Sequence, residues 1–404
     1  MNPTSSQQAA PPWLLMLLAA ACGLIAANIY YAQPLAGPIS ASLGLSPAAA
    51  GLIVTLTQVG YGLGLLFIVP LGDLIENRRL TLTLLAVVTV SLLAAGLSTH
   101  PAPFLMSALG IGIGAVAVQV LVPYAAHLSP EAVRGRVVGH VISGLMLGIM
   151  LARPVASLLA QLASWHAVFF VSAAAMVVLA AVLAWKMPPR VPTGQLRYGA
   201  LMASMVELML STPVLRRRAL YQAALFGAFS VFWTTTPLWL AGPAFGLSQG
   251  GIALFALDGV AGAIASPLAG RWADKGWTRP VTALSMLAVG IGFLLSHIAP
   301  AGSPWALGLL VLGAIVLDFG VSANLTLGQR AIFSLSPEFR ARLNGLYMTT
   351  FFIGGALGSA LGGWAYAHGG WAWASALGIA LPSAALVYWM TERPPVHTRT
   401  AAGM

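Results

Sequence analysis

The chain has 404 residues, 59% of them hydrophobic and 7% charged, with a mean hydropathy of +0.88. Soluble domains run near half apolar, so this composition excludes one and indicates a membrane protein. Its 19 Lys and Arg against 9 Asp and Glu give a net charge of +10, yet where they fall speaks against nucleic acid as a partner: 18 of the 19 lie in alternate breaks between apolar runs or in the C-terminal tail, as membrane topology requires.

Twelve apolar runs follow one another, near 13–33, 47–70, 79–99, 103–127, 137–160, 166–187, 218–241, 250–270, 279–299, 304–328, 343–367 and 371–390. Each approaches the roughly 20 residues that a helix needs to cross about 30 Å of hydrocarbon. The first holds the one cysteine, Cys22, so an intramolecular disulfide is impossible. No basic residue precedes it, which argues against a cleaved signal peptide. It ends in "NIYYAQP", placing Asn28 and Tyr31 about one turn apart on one face. The second span supplies Gln58 and Tyr61 and the fourth Gln119. The fifth contains "GIMLARPVAS", with Arg153 followed by Pro154. Phe232 and Trp233 lie in the seventh span, Asp258 in the eighth, and Asp318 and Asn324 in the tenth.

Basic residues in the even-numbered breaks put both termini and the segment 188–217 on the cytoplasmic side and the loops 34–46 and 242–249 outside. The segment 188–217 opens with "PPRVPTGQLRYG", continues as an interfacial helix and ends in an Arg triplet. It divides the chain into an N-terminal six-helix bundle, 1–187, and a C-terminal one, 218–404.

The two bundles repeat one another. "SPEAVRGRVVG" from Ser129 matches "SPEFRARLNG" from Ser336, with Arg134, Arg136 and Gly139 lying 206 residues before Arg340, Arg342 and Gly345. Trp165 precedes Trp371 by the same interval, and Asp73 precedes Asp274 by 201. Six spans per copy make these parallel repeats, related by a pseudo-twofold axis along the membrane normal.

Only Arg153, Asp258 and Asp318 place a charge well inside a span. Each costs about 2.5–3.5 kcal/mol at a helix centre, so each needs a partner or a wet cavity. Arg153 and Asp258 lie seven and eight residues from the outer ends of their spans, at almost one depth. Asp258 shares a row of small residues with Gly262, Ser266 and Gly270, which permits close helix approach. Arg153 either pairs with Asp258 or snorkels outward along its stem. Asp318 sits at the midpoint of its span, either as a proton carrier or as a structural aspartate bonded to hydroxyls or Arg153. No metal-ligand spacing, nucleophile motif or phosphate loop stands out, so neither an enzyme nor a cofactor is expected.

"VPLGDLIENRRL" and "GRWADKGWTR" resemble the repeated loop signature of the major facilitator superfamily: a glycine, an aspartate four residues on, then basic residues. Gly270, Asp274, Lys275 and Arg279 match in the second copy; Asp73, Arg78 and Arg79 match in the first, where Val69 and Leu74 depart from the pattern. The resemblance covers essentially the whole chain. It implies an all-α fold of twelve transmembrane helices in two six-helix bundles, with the fifth and eighth packed together across the halves and a central cavity lined in part by the tenth. It makes Asn28, Tyr31, Gln58, Tyr61, Gln119, Phe232, Trp233, Asp318 and Asn324 candidates for that cavity. It also implies gating roles: Asp73 would face the start of the eleventh helix near Arg340, Asp274 would take the symmetric place near Arg134, and Arg78 and Lys275 would belong to the same latches. Arg153 and Asp258 would tie the outer gate.

The chain is also similar to the drug- and metabolite-efflux branch of that superfamily. It departs from that branch in having no base in the fourth span and Arg153 at the glycine position before Pro154. The function implied is a monomeric secondary transporter that moves a small organic solute by alternating access, as proton-coupled efflux through a bacterial cytoplasmic membrane. The alternatives are proton-coupled uptake and a membrane receptor that senses solute without moving it.

Overall fold

The computed structural model describes residues 11–192, 197–257, 261–336 and 339–392. These are helical, with no strand among them. In order the helices are α1 (Pro12–Ala27), α2 (Ala36–Leu43), α3 (Leu52–Phe67), α4 (Asn77–Leu97), α5 (Pro101–Ala115), α6 (Ala117–His127), α7 (Glu131–Leu162) and α8 (Trp165–Lys186). After them come α9 (Tyr198–Ser211), α10 (Pro213–Ala241), α11 (Gln249–Phe255), α12 (Ala261–Asp274), α13 (Thr278–Leu295), α14 (Pro304–Phe333) and α15 (Arg340–Met390). Among the described residues nine helices are long and apolar enough to cross a membrane.

The count of twelve spans and the nine long helices differ for local reasons. The first span is helical over only 16 residues, α1, before the chain leaves the helix at Asn28. The eighth is described as α11 and α12, on either side of residues 258–260, which lie outside the described residues. The last two, labelled together as α15, are two helices that meet at a kink where Gly369 and Gly370 leave the helical region; Gly370, at φ 59°, occupies a conformation open mainly to glycine. The fourth span is stepped, α5 giving way to α6 at Val116, but Pro101–His127 still counts as one of the nine. Helix starts follow capping chemistry: Ser164, Ser248 and Ser303 accept from the amides of Ala167, Gly251 and Ala306, and Pro304 opens α14. The helix expected from 218 begins at Pro213, so the Arg triplet lies in the first turns of α10 rather than in the connecting segment.

Each half contains a close crossing of glycine-bearing helices at the same place in the repeat. In the first, α1 and α7 approach so nearly that a Cβ on Gly148 would collide with the Gly23 backbone. In the second, α10 and α15 do the same: a Cβ on Gly354 would strike the Ala223 carbonyl, and one on Gly358 the Gly227 backbone. Gly148 and Gly354 are 206 residues apart. The interval that relates the loop motifs therefore also relates the crossing points of the two bundles.

The halves meet mainly where α3 packs on α15 and α7 on α11. At the end away from the arginines the contact is tight: the Gly51 and Gly363 backbones touch, Thr55 Oγ1 and Ser359 Oγ are 2.8 Å apart, and Gln58 Nε2 donates to Ser230 Oγ at 3.0 Å. At the basic end α9 crosses between the halves. Tyr198 Oη donates to the Phe67 carbonyl of α3 at 2.9 Å, and Arg342 Nη1 of α15 donates to Ser204 Oγ at 3.2 Å. Leu201 and Met205, the buried residues of α9, roof a cavity of about 90 Å³ that reaches Leu65, Asp73, Gln119, Arg190, Arg342 and Gly345.

Candidate functional site

The charge cluster that spans both halves is centred on Arg153. Its residue is 3% exposed, on an α7 that continues as helix through Pro154. Nε donates to Gln33 Oε1 at 2.7 Å, and Gln33 lies in the turn that follows α1, where the early end of that helix brings it beneath α7. The guanidinium carbon stands 4.2 Å from the centre of the Trp233 ring, 5.1 Å from Tyr30 and 5.2 Å from Phe229. Tyr30 belongs to the first half; Phe229 and Trp233 lie on one face of α10 in the second. Desolvated cation–π contacts of this kind contribute on the order of 2 kcal/mol.

On its far edge Trp233 donates from Nε1 to Asp318 Oδ1 of α14 at 3.1 Å. Asp318 is 6% exposed, so a neutral N–H donor meets a carboxylate out of water, a bond worth about 1.5–3 kcal/mol. A cation of one half is thus stacked on an indole that a carboxylate of the other half holds in place. Asp258, expected to pair with Arg153, lies outside the described residues.

Inward from this cluster, the aromatic contacts continue toward the cavity. Phe226 stacks on Phe351 with centroids 3.7 Å apart and lies 5.1 Å from Phe229; Phe352 lies 4.3 Å from Tyr61 across the interface. Tyr61 Oη accepts from Gln119 Nε2 at 3.0 Å, and Gln119 lines the cavity. Gln58 also crosses the interface, through Ser230. Asn324 donates to Gln222 Oε1 at 2.7 Å, and Gln222 in turn donates to the Val321 carbonyl at 3.3 Å, linking α10 to α14.

Other sequence candidates face elsewhere. Asn28 accepts from Ser172 at 2.6 Å and donates to the Leu24 carbonyl at 2.9 Å, inside the first half. Tyr31 is partly buried against that same core. Phe232 sits within the second half, 5.6 Å from Phe293 and 5.9 Å from Trp371. Trp165 and Trp371, the pair that the repeat relates, are buried at 7% exposure. Trp371 donates to Ser296 at 2.8 Å and stacks 4.4 Å from Trp239, so its amphipathic ring is satisfied internally.

The loop residues divide likewise. Asp73 is exposed and lines the cavity opposite Ala341, Arg342 and Gly345, the first turns of α15. Asp274 forms an ion pair with Arg330 at the end of α14, within its own half, and Arg330 also donates to the Gly270 carbonyl at 3.2 Å. Arg134 donates to the Ala126 carbonyl at 3.2 Å, Arg340 to Phe333 at 3.0 Å and Arg78 to Ala184, each capping a neighbouring helix end. Lys275 is exposed, near the Trp277 ring.

Sequence reasoning passed over Gln33, Gln222 and two arginine clasps. In one, Arg190 Nη1 donates to buried Asn77 at 2.7 Å. In the other, Arg218 donates to Thr282 at 3.0 Å and pairs with Glu392 at 3.1 Å, with Tyr221 Oη donating to the same carboxylate at 3.2 Å. Among the described residues no set of three His, Cys, Asp or Glu is grouped to hold a metal.

The family model described as Major Facilitator Superfamily matches residues 15–311 and 219–403. The uncharacterized transporter YgaY of Escherichia coli O157:H7 is 39% identical over 378 residues, 94% of this chain and 95% of that protein. A probable sugar efflux transporter of Helicobacter pylori is 24% identical over 80% of this chain and 81% of its own. Among solved structures, the nucleoside transporter NupG in its D323A form superposes with a TM-score of 0.77 at 14% identity, covering 93% of this chain and 99% of that one.

Proposed function

Because the chain belongs to the Major Facilitator Superfamily and is a multi-pass membrane transporter, we propose that it exports a small organic solute in exchange for protons by alternating access. The observation that carries the reading is Asp318: a titratable carboxyl buried in the second half, one indole away from a cation of the first. A membrane-buried carboxyl in the path between moving halves is placed to exchange a proton as they separate.

The distribution of arginines makes the basic end cytoplasmic. On that orientation the cavity beneath α9 opens toward the cytoplasm, while Gly51, Thr55, Ser359 and Gly363 close the outer side. Tyr61, Gln119 and the Phe226–Phe351 stack form the floor of the cavity. Above it Gln58, Trp233, Asp318 and Asn324 supply the polar groups that a solute meets when the outer contacts part. Asn28 and Phe232 act from within the halves by setting helix packing. Asp73 and Arg342 face one another across the cytoplasmic mouth and close the alternate state as the halves rock. Export, rather than uptake, agrees with the similarity to the efflux branch and with the name of the Helicobacter relative. The setting is the cytoplasmic membrane of a bacterium, with both termini inside and the protein acting as a monomer.

A thermal-shift screen of the purified protein identifies a stabilising solute. In proteoliposomes a pH gradient then drives that solute uphill in the wild type, while Asp318→Asn retains solute exchange and loses the uphill component. An Asp318→Asn protein that still concentrates solute on the gradient would remove the proposal.

A further inference from the structure

Trp233 is the residue through which the charge on Asp318 reaches the outer seal. It is 1% exposed and enclosed by Phe232, Phe255 and Phe229 at centroid distances of 5.7, 5.8 and 6.3 Å. One edge donates to Asp318 and one face carries Arg153. We infer that Trp233 is a positioning residue: bonded to ionised Asp318 it holds Arg153 across the halves and keeps the outer side shut, and a proton on Asp318, or a solute that displaces the indole, releases it. The inference rests on the proton-coupled reading above.

The chemistry is a single proton transfer to an Oδ of Asp318, with no covalent change elsewhere. Before it, the indole N–H donates to a carboxylate, a charge-assisted bond roughly twice as strong as a neutral one. That bond also polarises the ring and enriches the face on which the guanidinium rests. After it, Asp318 is neutral, the N–H bond is an ordinary one and the cation–π attraction weakens with it. Among the described residues the charged group acting on Asp318 is Arg153 of α7, and the other titratable group within electrostatic reach is Tyr30, beside α1. Gln33 keeps Arg153 pointed at the ring, so loss of the indole contact weakens the inter-half tie, of which Trp233 at 4.2 Å is the nearer aromatic and Phe229 at 5.2 Å the farther, without freeing the side chain to swing away.

This arrangement has a direct consequence for coupling. An exporter must stop the empty, deprotonated carrier from opening outward, since that step lets exported solute run back in downhill without protons. Ionised Asp318 locking Trp233 against Arg153 closes the outer side in that form alone. The proton-loaded and solute-loaded forms remain able to open.

The test needs no substrate. Protein labelled with 5-fluorotryptophan is followed by fluorine NMR, the Trp233 signal being the one lost in Trp233→Phe. In parallel, Ser359→Cys in a Cys22→Ser background reports outer opening through its rate of labelling by an impermeant maleimide. The Trp233 signal shifts between alkaline and acidic pH in the wild type and stays at its acidic position in Asp318→Asn. Maleimide labelling is slow at alkaline pH and about fivefold faster at acidic pH, as expected when a charge-assisted bond falls to an ordinary neutral one. Trp233→Phe and Asp318→Asn label at the fast rate throughout. Should Trp233→Phe fail to fold, Trp233→Tyr keeps a ring whose hydroxyl cannot reproduce the indole donor and serves in its place. A Trp233 signal indifferent to pH, or a Trp233 variant that keeps the wild-type pH response of labelling, overturns the inference. A protein that passes both tests yet transports without a proton gradient overturns the export reading and leaves the latch standing.

Discussion

The two ends of the interface between the halves are built from different materials. The end away from the arginines is closed by glycine backbones in contact and by neutral hydroxyl and amide bonds, Thr55 to Ser359 and Gln58 to Ser230. The basic end is spanned by α9 through one tyrosine and one arginine contact, above a cavity with charged walls. Small residues let the outer contact be dry and close, so it is stiff and sensitive to a single added methyl. Charged and half-exposed contacts at the basic end lie in high dielectric, where each is worth little and can be exchanged for water. A seal of the first kind stays shut until something inside releases it; one of the second kind opens by thermal motion.

The largest effect is therefore expected at the outer seal. Gly51→Val puts a branched side chain against the Ser359 carbonyl and the Gly363 backbone, and overpacking of this sort costs about 1–3 kcal/mol or more. Transport should fall at least tenfold and outer cysteine labelling should rise; a variant with wild-type rates would show that these helices do not close the gate. Next comes Arg153→Gln, which removes a buried charge from its partners but leaves an amide in its place, a loss of about 1.5–3 kcal/mol. It should impair transport and favour outward opening. The exchange of Arg153→Asp with Asp258→Arg should restore part of the function, and a double variant no better than the singles would discard Asp258 as the partner.

Gln58→Leu removes two neutral inter-half bonds, the one it donates to Ser230 and a long one of 3.5 Å that it accepts from Ser359, each worth at most about 0.5–1.5 kcal/mol. Outer labelling should rise between about two- and tenfold, with folding intact by size exclusion. Smallest is Ser204→Ala at the basic end, expected within about 0.5 kcal/mol and measured as an unchanged melting temperature with cytoplasmic labelling less than doubled. If Ser204→Ala were to outweigh Gln58→Leu, the contrast between the two ends would be wrong.

Much of the fold was legible because membrane helices announce themselves by length and apolarity, and because the loop motifs carry the internal repeat. The same interval of 206 residues links Gly148 to Gly354 at the helix crossings, an echo that the loops alone did not reveal. The gap between the runs 343–367 and 371–390 falls where Gly369 and Gly370 leave the helix; where the first span ends early at Asn28, hydropathy has no signal for the backbone turn. Arg153, Trp233 and Asp318 drew notice as a membrane charge, an aromatic and a carboxyl, but their contact depends on three helices converging. Gln33 stood in plain view in "NIYYAQP" and passed unnoted, since a neutral amide becomes informative only when a cation 120 residues away is seen to lie on it. Asp274 was placed toward Arg134 by symmetry; its carboxylate meets Arg330 instead, because α12 and α14 pack together within one half. Asn28 and Phe232 carry the right chemistry for a cavity, but helix rotation, which one sequence does not specify, turns them inward.

Proton-coupled export through Asp318 is tested most directly by proton flux. Inside-out vesicles are energised to acidify their interior, the pH is followed with an acridine dye, and the solute found by thermal shift is added outside. The account predicts that solute entry releases protons and restores the dye signal in the wild type, and that Asp318→Asn shows no response although it still exchanges solute. Solute uptake with no proton release in the wild type, or an equal release in Asp318→Asn, would contradict it.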